Sequence, residues 1–230
     1  MILLPNLPRP LRARLSRTLL AVFALVSTAT ATAQPAPAPV DAGWILARLV
    51  RPAPMQTPFV EVRESPMLTT PLRIEGLYRR PQADTLVREV RSPYAETTTI
   101  RAGEVTIARD GRRARRFSLS RVPELAGLQA SFGALLAGDA AALRRGYRIA
   151  ADGSRQDWRM TLVPLDPGAA AGVREIVLHG RGAELRCIET TPVDGAVQRT
   201  LLATAARAAS AVATADALAT LCRDPGAAPP

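Results

Sequence analysis

The chain has 230 residues, 47% of them hydrophobic and 22% charged, which suits one ordinary domain with a real core and excludes a disordered chain. Its net charge is +10 and every cation is an arginine, a bias that GC-rich coding explains without any phosphate partner. Aromatic residues are only 4%, which argues against a base-stacking surface and so against single-strand nucleic-acid binding.

Residues 1–33 read as a secretory signal peptide. Arg9, Arg12, Arg14 and Arg17 form a positive n-region, Leu19 to Val26 a short apolar h-region, and Ala31-Thr-Ala33 a cleavage site after Ala33. The apolar run is too short to span a bilayer, and no cysteine follows it to carry a lipid anchor. An exported, unanchored periplasmic protein is the expectation. Removing four arginines and no acid takes the charge from +10 to +6. Residues 34–40 read as a Pro/Ala linker, 41–222 as the folded domain and 223–230 as a disordered tail.

Asp41 caps a short helix carrying Trp44, Ile45, Leu46 and Leu49, ended by Arg51-Pro52. Six alternating segments follow: Phe59 to Arg63, Leu72 to Tyr78, Thr85 to Arg91, Glu96 to Arg101, Glu104 to Arg109 and Arg113 to Ser120. Turn residues separate them, at Pro81, Ser92-Pro93, Gly103 and Asp110-Gly111, as in an antiparallel meander. The period then changes. From Pro123 to Asp139 the apolar residues Leu125, Leu128, Phe132, Leu135 and Leu136 share one helical stripe, with Gly138 at its end. Asp139 starts a second short helix, stopped by Gly146. Strand pattern resumes at Tyr147 to Ala151, Trp158 to Val163, Val173 to Leu178, Glu184 to Thr190 and Val197 to Leu202. The Ala-rich stretch after it predicts a helix from about Ala211. In an oxidising compartment Cys187 and Cys222 are expected to pair.

The order of features carries a resemblance. Phe59-x-Glu61, Pro71 with Gly76-x-Tyr78 and Pro81, Ser92-Pro93-Tyr94, Val105-x-Ile107, Arg115-Arg-Phe-Ser-Leu119 and Ser131-Phe-Gly-Ala-Leu-Leu-Ala-Gly-Asp139 recur in sequence. They precede Trp158-x-x-x-Leu162-x-Pro164, Ile176-x-Leu178 and Asp194-Gly195. In this the chain resembles the LolA-related proteins, a branch of the LolA/LolB lipoprotein-carrier superfamily. The resemblance implies an α+β fold: an unclosed antiparallel β-barrel of ten or eleven strands, its concave apolar face covered by helices around a cavity for acyl chains. It also implies a carrier of lipid or lipoprotein cargo, working between an inner-membrane exporter and an outer-membrane acceptor and touching membrane surfaces transiently. A binding or sensor module for envelope lipids, without shuttling, is the alternative. The chain departs from the main branch where Glu61 replaces a glutamine and in having two cysteines.

On that reading the inward rows are Leu72, Ile74 and Tyr78; Val105 and Ile107; Phe117 and Leu119; Trp158, Met160 and Leu162; and Ile176 and Leu178. The stripe Leu125, Leu128, Phe132, Leu135 and Leu136 would be the lid. Each of these side chains also suits ordinary packing of a sheet against a helix. Arg88, between Leu86 and Val90 on an inner row, is the residue expected to hold the lid or meet a head group. Neither a metal nor a cofactor is expected, and no enzyme: the sole histidine, His179, has no nucleophile motif or metal-ligand spacing around it. The run Arg112-Arg-Ala-Arg-Arg116 on a hairpin arm reads as a solvated edge, not a nucleic-acid site. A monomer is the expected state.

Overall fold

Local signals start each half of the inner cover. In the computed structural model, which describes residues 40–64, 68–121, 134–135, 137–166 and 172–223, helix α1 (Ala42–Leu49) begins where Asp41 Oδ1 accepts from the Trp44 amide at 2.9 Å. Helix α2 (Ala140–Gly146) begins in the same way, Asp139 Oδ1 accepting from the Ala142 amide at 2.8 Å.

The strands are β1 (Met55–Arg63), β2 (Leu72–Gln82), β3 (Thr85–Ser92), β4 (Glu96–Arg101), β5 (Glu104–Arg109) and β6 (Arg115–Ser118), then β7 (Tyr147–Gly153), β8 (Trp158–Pro164), β9 (Val173–Arg181), β10 (Glu184–Pro192) and β11 (Gln198–Leu202). They form one eleven-stranded sheet in the order β6-β5-β4-β3-β2-β1-β11-β10-β9-β8-β7. Every neighbouring pair is antiparallel, so the expected meander is present twice, and β1 with β11 joins the two copies. The edges β6 and β7 do not pair with each other, which leaves the barrel unclosed.

Directly opposed residues of antiparallel strands lie on one face. The pairings Phe59 with Leu202 and Gly76, Gly76 with Val90, and Met160 with Leu178 therefore define a single inner face. Helices α1 and α2 cover its β7–β10 half: Ile45, Leu46, Leu49 and Leu143 pack on Trp158, Met160, Leu162, Ile176 and Leu178. Close approach is required at Gly180, where a Cβ would lie 2.0 Å from the Trp158 ring. The indole rests on that glycine and donates to the Gly182 carbonyl at 2.9 Å.

Two features differ from the expectation. The C-terminal helices come earlier and lie on the opposite, outer face. Helix α3 (Ala203–Ala208) follows β11 at once, and α4 (Ala215–Arg223) comes after a short break. Ala205, Ala206, Ala209, Val212, Leu218 and Leu221 pack there on Val60, Cys187 and Leu201. An alanine run has the strongest helix propensity but no apolar stripe, so periodicity does not mark its start. The sixth strand also ends early, Leu119 to Arg121 winding into a short 3-10 turn. The stripe residues Leu125, Leu128, Phe132 and Leu136 lie outside the described residues. No helix among those described is long and apolar enough to cross a membrane.

Candidate functional site

A cavity of about 450 Å³ opens on the inner face, where Leu49 at the end of α1 meets residues of β1, β2, β3, β10 and β11. Its apolar wall is Leu49, Met55, Pro58, Leu86, Leu135, Leu185 and Leu202, with Tyr78 among them. Arg51 holds the rim. It donates to the carbonyls of Arg48 and Val50 at 2.8 Å each, at the end of α1, and to the Ala183 carbonyl on the β9–β10 turn. Arg80 donates to the Arg51 carbonyl at 2.8 Å and ties β2 into the same corner.

Of the residues expected to meet an acyl chain, Tyr78 and Leu135 line this cavity. Trp158, Met160, Leu162, Ile176 and Leu178 do not; they are packed beneath α1 and α2. Ile74 is fully buried beside Phe59, Val90 and Leu202, with Leu72 against them. Val105 and Leu119 form a separate small core with Ile100, and Ile107 and Phe117 pack on it.

Several wall residues escaped the sequence reading. Leu86 shares the row of Arg88, the signal that was available. Met55 and Pro58 precede the expected start of the first strand. Leu185 was hidden by a bulge between Leu185 and Cys187, which turns Leu185 inward while Cys187, two positions on, faces outward.

The inner face also carries charge. Arg88 lies on it opposite Tyr78, and across β2 its Nη2 meets Glu61 Oε2 at 2.9 Å. Gly76 stands on β2 between Ile74 and Tyr78, so no side chain separates the two partners. Glu61 is 8% exposed, and it also takes Arg63 Nη2 at 3.2 Å and the Thr200 hydroxyl at 3.3 Å. The Arg88 guanidinium sits 4.7 Å from the centre of the Phe59 ring. Burial opposes the Arg88 cation, but the Glu61 charge and Tyr78 outweigh it and leave its pKa raised. Burial, then the Glu61 charge, pushes the Tyr78 hydroxyl up to about 12, against the pull of Arg88.

On the outer face Cys187 and Cys222 form a disulfide between β10 and α4, as expected. His179 lies beside it. A second cavity of about 450 Å³ there is lined by polar groups including Arg159, Glu175, His179 and Glu189. His179, Glu189 and Cys222 come within 4.8 Å of one another, but the Cys222 sulfur is bonded to Cys187 and offers no thiolate. Burial holds the His179 imidazole below its ordinary pKa, with Glu189 opposing.

A family model described as outer membrane lipoprotein carrier protein LolA-like matches residues 31–226. Among solved structures, the chain is similar to a LolA superfamily protein from Nitrosomonas europaea, with 13% identity over 69% of this chain and 74% of that one and a TM-score of 0.36. No curated protein matches it.

Proposed function

Because this chain belongs to the LolA-like family of outer membrane lipoprotein carrier proteins, we propose that it is a periplasmic carrier, shielding the acyl chains of a lipid or lipoprotein cargo while they pass between membranes. On this reading residues 1–33 are a signal peptide removed after Ala33, 34–40 are a linker, 41–222 are the carrier domain and 223–230 are a tail. The protein works without catalysis as a monomer, loaded from an inner-membrane exporter and unloaded at an outer-membrane acceptor.

The observation that supports this best is the inner-face cavity. Its volume of about 450 Å³ falls inside the roughly 300–1,000 Å³ range of ligand pockets. Its wall is mostly aliphatic. Exposing an acyl chain to water costs about 0.8 kcal/mol per methylene, on the order of 10 kcal/mol for a chain of about 16 carbons. A water-borne carrier must offset that penalty, and an apolar cavity beneath a helical cover does so.

We assign the acyl contacts to Leu86, Met55, Leu185, Tyr78 and Leu135, with the lid stripe Leu125, Leu128, Phe132 and Leu136 as the cover. Arg88 would meet a head group only by leaving Glu61. The test is native mass spectrometry of the full chain expressed to the periplasm. Copurifying acylated molecules, lost in Leu86→Glu and in Met55→Glu, are the expected result. A protein free of lipid that no envelope lipid can load would overturn the proposal.

A further inference from the structure

The mouth of the inner-face cavity is cationic. Arg51, Arg181 and Arg207 line it together with one acid, Glu184, whose Oε1 already accepts the Thr204 hydroxyl. The three hydrogen bonds that Arg51 donates through Nη1 and Nη2 go to carbonyls, which leave its charge uncancelled. Arg181 and Arg207 are exposed, and among the described residues neither has a carboxylate partner.

Three other arginines of the sheet that stand beside buried surface are each answered by an acid. Arg88 meets Glu61 at 2.9 Å, Arg109 meets Glu96 at 2.6 Å and Arg199 meets Glu189 at 2.5 Å. At the mouth three guanidinium groups border an aliphatic wall and, among the described residues that line it, face one carboxylate. A charge beside a low-dielectric surface acts more strongly than one in open water. Guanidinium groups also match the two oxygens of a carboxylate or phosphate.

Resting on the proposed carrier function, we infer that the cargo is an anionic amphiphile: its chain enters the cavity, and a carboxylate or phosphate at the chain's end sits between Arg181, Arg207 and Arg51. The apolar wall then reads chain length, while the arginines select against uncharged and cationic ends.

Calorimetric titration of the full chain separates these parts, using dodecanoate, dodecyl phosphate, dodecanol and dodecyltrimethylammonium below their micelle concentrations. Both anions should bind at least about tenfold tighter than dodecanol, with the cation weakest. Salt should reduce the difference. Arg181→Gln combined with Arg207→Gln should bring the anions down to the affinity of the alcohol. Both positions are exposed, so this variant tests recognition and not folding. Whichever anion binds tighter names the head group. Equal binding of all four overturns the inference and leaves the carrier reading standing, whereas no binding of any overturns both. Inorganic phosphate binding as tightly as dodecyl phosphate also overturns the inference, because the chain would then contribute nothing.

Discussion

Glu61 and Arg88 meet at 2.9 Å across β2, on a face whose other groups include Phe59, Ile74 and Val90. The side chains are 10% and 20% exposed, so the pair sits in a largely dry place where a lone charge would be costly. The Glu61 carboxylate neutralises an arginine that would otherwise stand unpaired on the inner face.

Breaking the pair from either side should therefore cost more than removing it. Glu61→Ala leaves Arg88 uncompensated and should destabilise the fold by about 2 kcal/mol, and Arg88→Leu should cost a similar amount. Glu61→Leu with Arg88→Leu should lie within about 1 kcal/mol of the native protein. Urea unfolding of the four proteins in a double-mutant cycle checks this. Strictly additive single effects would mean that the pair is not coupled.

The raised Tyr78 pKa gives the fold an alkaline limit. With the phenol titrating near about 12 in the native state and at 10.0 unfolded, the unfolded chain loses its proton first as pH rises. The stability this residue contributes is complete below pH 10 and declines between about 10 and 12. Tyr78→Phe should remove that part of the decline. Guanidinium melts across this window test it, and identical slopes for both proteins would show that Tyr78 is not responsible.

The Cys187–Cys222 disulfide fastens α4 to the outer face across a sequence separation of 35. Closing a loop of that length in the unfolded chain is worth roughly 3 to 4 kcal/mol. Cys187→Ala with Cys222→Ala should lower the unfolding free energy by about that amount and leave the inner-face cavity able to bind. Alkylation of the unreduced, unfolded protein should label neither cysteine. A double variant as stable as the native chain would show that α4 is held by packing alone.

Legibility followed the physics of each element. Period-2 alternation marks strands that are dry on one face, so all eleven strands were readable along the chain, although β1, β2 and β9 run three or four residues further than the alternation marks and β6 is shorter. Asp41 and Asp139 were visible as caps because their hydrogen bonds are local. What the pattern could not supply was depth. Met160 and Leu178 look the same in sequence whether a helix or a ligand lies over them, and α1 turns out to lie there. No residue type announces the bulge that turns Leu185 inward, and the start of α3 is hidden in an alanine run without a stripe. Arg88 lies on the inner row that its alternation with Leu86 and Val90 suggests, but its partner Glu61, 27 positions away, is brought to it by the β1-β2-β3 pairing, which no local pattern signals.

Photocrosslinking with a diazirine-bearing fatty acid tests the central claim most directly, by finding where a bound chain lies. Crosslinks mapped by mass spectrometry should fall on Met55, Leu86, Leu185 and Leu135, and excess unlabelled dodecanoate should suppress them. Absence of crosslinks, or crosslinks confined to the outer face around His179, would contradict an acyl-binding inner cavity.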